Sequence, residues 1–369
     1  MSEALKPPDT RPFVALEGHR RGRSETPCYA ALDLGTNNCR LLIAAPTARG
    51  FRIIDAYSRI VRLGEGLTNT GVLQQPAMDR AMSALHTCAE RLKKRNIVRV
   101  RAIATQACRM ADNGALFVER VRVETGLSLE IISPKQEAQL SVAGCLNLFD
   151  REGARAALVV DVGGGSTELS WVDLSDPGLD QRVRSFAPQK LPIRAWLSVP
   201  VGVVTLAERY PEGDGEARPW FRAMVEDVKG RIDGFAHAEP MRSIFDAREA
   251  HMVGTSGAIT SLAGLHLRLP RYERAAVDGL WMTELECRTV ADRLLSQSHA
   301  ERAAEPCIGP DRADLVLAGA AILQAVQELW PCERVRVADR GLREGLLLSL
   351  MADPVKRRRR RRGPRRAAA

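Results

Sequence analysis

The sequence predicts two α/β halves built on one plan, and three observations carry this. A strand–Asp–Gly turn–strand unit occurs twice, at Asp33 and at Asp161. The offset of 128 residues is one domain length rather than a short solenoid repeat. Strand patterns alternate with amphipathic helical ones, as in layered α/β folds with mixed sheets. A chain of 369 residues also exceeds one ordinary core and suits about two domains.

The elements follow in order. Residues 1–27 hold prolines and the basic stretch Arg20 to Arg23, and read as a disordered arm. Buried strands are expected over 29–34 and 40–44, with a looser third over 51–58. A helix over 75–95 repeats Ala77, Met78, Ala81, Leu85, Cys88 and Leu92 at three- and four-residue spacing. A strand over 98–104, a helix over 117–125 stopped by Gly126, and a strand over 129–132 come next. Ser133, Pro134 and Gln136 form a capping box that opens a helix running to about residue 149. The pattern then restarts with a strand over 156–161, a turn at 163–167 and a return strand over 168–172. Helices near 204–210 and 220–235, a strand over 251–253, and helices over 260–267, 283–297 and 311–329 complete it. A strand over 334–337 and a helix over 342–351 close the fold. We place the first domain at 28–140 and the second at 141–352, with the last helix able to pack back on the first.

Composition narrows the class. Aromatics are only 5%, so aliphatic side chains must fill the core. No apolar run reaches the roughly 18–20 residues of a membrane span, and residues 1–10 lack a signal-peptide core. A cytoplasmic protein without a membrane span is expected. The eight cysteines lie far apart with no CxxC pair, which reads as buried reduced thiols rather than zinc ligands. Lys356, Arg357 to Arg362, Arg365 and Arg366 account for the whole net charge of +9. The body is therefore near neutral, and residues 353–369 read as a disordered tail able to contact polyanions by charge. The sequence carries no signal of oligomeric state and is compatible with a homodimer.

Three Gly turns follow buried strands: Asp33-Leu-Gly-Thr-Asn-Asn, Asp161-Val-Gly-Gly-Gly-Ser-Thr and Gly254-Thr-Ser-Gly. Glycine lets backbone approach an anion closely, and successive N–H groups make a concave anion site. Gly35, Thr36, Asn37, Asn38, Gly163, Gly164, Gly165, Ser166, Thr167, Gly254, Thr255 and Ser256 are thus candidate phosphate contacts, with Asp33 at the head of the first turn. No Gly-Lys-Ser/Thr ending follows, which excludes a P-loop, and a strand rather than a helix follows the first two turns, which excludes a Rossmann fingerprint. Asp33 and Asp161, each an aspartate at a strand end beside a Gly turn, suit magnesium beside phosphate, and Glu137 and Glu168 complete the acidic set. Glu137, in the first turn of its helix, suits the helix dipole on general grounds. Arg109 reads as an ordinary surface cation on the same grounds.

These strings resemble the exopolyphosphatase/guanosine pentaphosphatase (Ppx/GppA) family. Ile131-Ile-Ser-Pro-Lys-Gln-Glu-Ala, Pro200-Val-Gly-Val-Val-Thr-Leu-Ala-Glu and Asp339-Arg-Gly-Leu-Arg-Glu-Gly extend the match over about residues 28–352. The resemblance implies two actin-like domains of the acetate kinase, Hsp70 and actin superfamily, ribonuclease H-like, with a cleft between them. It implies a catalytic glutamate at Glu137, an active-site arginine at Arg109, and metal- and water-associated acids at Asp161 and Glu168 that hold Mg2+. Glu168 then counts as both catalytic and metal-binding. The implied substrate is polyphosphate, with guanosine penta- or tetraphosphate as the alternative. Asn38 stands where the family commonly has Ser, Gln136 where a first Glu is common, and Gln139 at a usual Arg. The chain resembles the short members, without the C-terminal HD-type domain. A kinase or ATPase on this fold and a non-catalytic polyphosphate or alarmone binder are the rival classes.

Overall fold

In a computed structural model, residues 26–47, 50–176, 179, 191–213, 215–236 and 241–352 are described. Most of the expected arm and all of the expected tail lie outside these residues. Two mixed sheets organise the chain. The first holds β1 (Cys28–Leu34), β2 (Asn38–Thr47), β3 (Gly50–Ile60), β4 (Ile97–Ala104) and β5 (Leu129–Ile131). Its spatial order is β3-β2-β1-β4-β5. β1, β2 and β3 run antiparallel, and β4 and β5 lie parallel to β1.

The second sheet holds β6 (Ala156–Val162), β7 (Thr167–Asp173), β8 (Ile193–Val199), β9 (Ala250–Thr255), β10 (Trp281–Thr283) and β11 (Arg334–Ala338). Read from β8, its order is β8-β7-β6-β9-β11-β10. Three antiparallel strands again precede two parallel additions, and β10 adds an antiparallel edge. The shared strand order shows the two-domain actin-like plan. The central strands β1 and β6 are buried on both faces, which explains their near-continuous apolar runs.

Several boundaries differ from the sequence reading. The helix expected over 311–329 is Val316–Leu329, because turns at Arg312 and Leu315 and the left-handed Gly309 (φ 73°) occupy its start. The helix opened by Ser133 ends at Cys145, and a 3-10 turn, Leu146–Leu148, follows. Its capping box forms as the sequence implies. Edge strand β8 is not legible in the sequence because it is half-exposed, and edge strand β10 and the helix Gln106–Met110 are not because each is brief.

The helix Pro134–Cys145 runs through residue 140, so the expected domain boundary falls inside a continuous element. Its Leu140 packs with Ala31 and Ile103 of the first sheet, and its Val142 and Cys145 pack with Ala157 and Val159 of the second. The last helix, Leu342–Ala352, lies on the first sheet through Leu346 and Leu347. Glycines make this close approach feasible: a Cβ at Gly345 would come within 2.0 Å of the Leu140 carbonyl oxygen. Glu137, one turn before that contact, is thereby fixed between the two sheets.

Candidate active site

The two sheets face one another across a cleft of about 600 Å³. Both Asp–Gly turns open into it, and they close alike. Gly35 N donates to Asn38 O at 2.8 Å, and Gly163 N donates to Ser166 O at 2.9 Å. The turns nearly touch across the cleft. A Cβ on Gly164 would lie 3.0 Å from Asn37 N, and one on Gly165 would lie 2.6 Å from Thr36 Oγ1. Glycine is required there because any side chain would force the turns apart. Asp33 Oδ1, Thr36 Oγ1, Asn37 Oδ1 and Asn38 Oδ1 are buried without a hydrogen-bond partner. Such groups are costly to leave unpaired, and an asparagine amide can rotate to offer N–H groups to an anion.

Four carboxyl groups converge on the same space. Asp33, Glu137, Asp161 and Glu168 all line the cleft. Asp161 and Glu168 sit directly opposite each other on the β6–β7 ladder. Ser141 Oγ donates to Asp161 Oδ2 at 2.6 Å, and Ser198 Oγ donates to Glu168 Oε1 at 2.6 Å. Burial pushes Glu168 up to about 7, with the Asp161 charge adding to it and the Ser198 hydrogen bond opposing. Burial, then the Glu168 charge, also holds Glu137 well above the usual carboxylate range, against the Arg109 charge. Asp33 is raised by burial to about 6, opposed by Arg40 and Arg343. Asp161 is raised by burial, opposed by Ser141 and Arg40.

Three expected residues do not reach the cleft. The Thr167 hydroxyl is buried and donates to Val201 O at 2.6 Å, so it braces the turn. Gly254 lies within β9, where a Cβ would press on Ile259 at 2.9 Å. Arg109, on Gln106–Met110, donates to Ile132 O at 2.7 Å, to Gln106 Oε1 at 2.6 Å and to Glu137 Oε2 at 3.1 Å. It holds Glu137 through its guanidinium and is not itself among the residues that line the cleft. Thr255 and Ser256 do line the cleft. Their hydroxyl protons, however, go to the carbonyls of Arg340 and Val162. What this third turn presents instead is the start of the helix Gly257–His266, whose first N–H groups lack helical acceptors.

The sequence reading assigned no role to the basic side of the cleft. Arg40, Arg312 and Arg343 line it. Arg40 is the ladder partner of Asp33, and burial together with the Arg343 charge lowers its pKa. The signal was present: Arg40 ends the first motif, and Asp339-Arg-Gly follows β11 just as the other Asp–Gly turns follow their strands.

Comparison with known proteins decides the family. A sequence model of the Ppx/GppA phosphatase family matches residues 42–353. The chain belongs to that family. It is 30% identical over 334 residues to exopolyphosphatase 2 of Mycobacterium tuberculosis, covering 87% of this chain and 98% of that protein. Its fold matches the crystal structure of the Aquifex aeolicus Ppx/GppA family member with a TM-score of 0.70 at 27% identity, covering 88% and 97% of the two chains. An exopolyphosphatase from Cytophaga hutchinsonii shares the fold at 22% identity and a TM-score of 0.76, covering 88% and 98%. As a Ppx/GppA phosphatase the chain is a hydrolase acting on phosphoanhydride bonds. No helix among the described residues is long and apolar enough to cross a membrane.

The donors suit magnesium. Among the described residues no group of three or more His, Cys, Asp or Glu is placed to hold a metal by itself. Magnesium asks for less: one or two carboxylates, with waters and substrate phosphates completing the shell. Asp161 and Glu168, opposed across the ladder beside the Gly163 turn, offer that set, and the orphaned Asp33 Oδ1 adds a hard oxygen.

Proposed function

We propose that this phosphatase is a cytoplasmic exopolyphosphatase that releases the terminal phosphate of inorganic polyphosphate. The carrying observation is Glu137, a buried carboxylate clamped by Arg109 and facing the cleft onto which both phosphate turns open. The name of the 30% identical relative supports the substrate. Backbone N–H groups of the Gly35 and Gly163 turns hold the chain end, and Arg40, Arg312 and Arg343 hold the phosphates behind it. Magnesium bound by Asp161 and Glu168 would neutralise phosphate oxygen charge. Glu137 accepts a proton from water as the water oxygen bonds to the terminal phosphorus and the bridging P–O bond breaks. A carboxylate with a raised pKa is the better base for this. Positioning and electrostatics dominate such transfers. Arg109 keeps Glu137 aimed and ionisable.

A second reading, guanosine pentaphosphate 5′-phosphohydrolase, draws on one observation. Tyr272, Pro306, Ile308 and Pro310 are among the residues that line the cleft and offer it apolar surface, on which a base could lie. Phosphate release from long polyphosphate and from guanosine pentaphosphate, each with magnesium, separates the two. Release from polyphosphate alone supports the first reading, and release from the nucleotide alone overturns it. Binding of either without phosphate release rejects both. The basic stretch 356–366 is assigned to non-specific contact with long chains. Its deletion should weaken polyphosphate binding at low salt, and unchanged binding removes that role.

A further inference from the structure

The segment 61–66, between β3 and the short helix Leu67–Thr70, touches both halves of the cleft. Behind the first phosphate turn, Val61 N and Arg62 N both donate to Asn37 O, at 2.8 and 3.0 Å, and Gly64 N donates to Thr36 O at 2.9 Å. The fit is tight, since a Cβ on Gly64 would come within 2.2 Å of Thr36 Cγ2. The same segment reaches across to the other half at two points. Arg62 grips Asp314 with both guanidinium arms, at 2.9 and 3.1 Å, and also donates to Asp311 O at 3.1 Å. Gly66 N donates to Glu208 Oε1 at 2.9 Å.

Both receiving elements lead to the site. Asp311 and Asp314 flank Arg312, a cleft cation. Glu208 lies on the helix Val203–Arg209, whose Val203 and Val204 N–H groups donate to Gly163 O and Gly164 O of the second phosphate turn. The segment therefore ties one phosphate turn to the elements behind the other. Arg62 holds a left-handed backbone (φ 47°), a conformation uncommon outside glycine, and its side chain is what the strained backbone delivers to Asp314.

We propose that Arg62 is a positioning residue: its clasp on Asp314 holds the halves in the closed relation that brings the two phosphate turns together. The clasp acts on closure whichever phosphoanhydride is hydrolysed. If the closed form is only partly populated without it, apparent affinity falls by that fraction, while saturating substrate still closes the cleft.

Arg62→Gly tests this, because glycine accepts the backbone conformation and removes only the side chain. The expected result is a KM for polyphosphate raised about fivefold or more, with kcat within about twofold of wild type. Asp314→Asn should do the same, and the double variant should be no worse than either single one. Small-angle scattering without substrate should show a larger radius of gyration for Arg62→Gly than for wild type. An unchanged KM with unchanged scattering overturns the proposal, as does a tenfold loss of kcat at unchanged KM. If wild type releases no phosphate from polyphosphate, the substrate assignment fails, and the scattering comparison alone decides the clasp.

Discussion

The two Asp–Gly turns are the same device used for different ends. Each begins at an aspartate at the end of a central strand, closes by the same glycine N–H bond, and returns along an antiparallel strand. The residue facing the aspartate is seven positions on in both cases. In the first half it is Arg40, and in the second it is Glu168. That single difference inverts the local charge. The first turn becomes a basic holder with unpaired amide and hydroxyl groups. The second becomes an acidic pair braced by Ser141 and Ser198. A duplicated turn thus yields one basic and one acidic side of the same cleft, and the proposed phosphate-holding and metal-holding roles rest on that difference.

The largest test of this division is Glu137→Ala. Loss of the proposed base on the acidic side should lower kcat by about two orders of magnitude or more, with normal folding by circular dichroism. Near-wild-type phosphate release would move the chemistry elsewhere.

The next test concerns charge burial on the acidic side. Glu168 titrates near 4.5 when unperturbed and is pushed up to about 7 by burial. Its protonated form therefore contributes stability below about pH 4.5, and that contribution is lost as pH rises through about 7. At pH 8 without magnesium, Glu168→Gln should be more stable than wild type by on the order of 3 kcal/mol, with no difference near pH 4. Denaturant unfolding at the two pH values checks it, and equal stability at pH 8 would remove the buried charge from the account.

On the basic side, Arg40→Gln should raise KM for the proposed substrate, polyphosphate, about tenfold while kcat stays within about threefold, because the proposed charge-assisted phosphate contact is lost. A kcat loss matching that of Glu137→Ala would erase the division of labour. The smallest effects compare glycines. Gly165→Ala, which would crowd Thr36 and Gln106, should cost several-fold in kcat/KM. Gly35→Ala meets nothing closer than 3.5 Å and should stay within about twofold. Equal effects would mean that the approach of the turns does not matter.

Much of this was legible in the chain. The doubled Asp–Gly unit, the Ser133 capping box and the amphipathic helix Gln75–Lys93 are local patterns, and local patterns survive folding. Glu137 and Asp161 were recognised through their motifs. Arg109 was recognised too, but its face was not: a five-residue helix turns it toward Glu137 and the Ile132 carbonyl. Thr167, Gly254 and the hydroxyls of Thr255 and Ser256 were read as phosphate contacts because Ser, Thr and Gly look alike whether they brace a turn or face a ligand. Arg40, Arg312 and Arg343 were passed over because three of the 54 basic residues do not stand out until their side chains share a cleft.

The sequence by itself determined the doubled Asp–Gly unit, the central strands that carry it and the glycines of its two turns. These depend on neighbours within a few residues or on one internal match. Tertiary structure alone decided that Arg40 faces Asp33 while Glu168 faces Asp161. It also decided that Ser141 reaches Asp161 and that Arg62 reaches Asp314 across the cleft. Those pairings depend on ladder register and on two halves packing through one shared helix, and no local pattern encodes either.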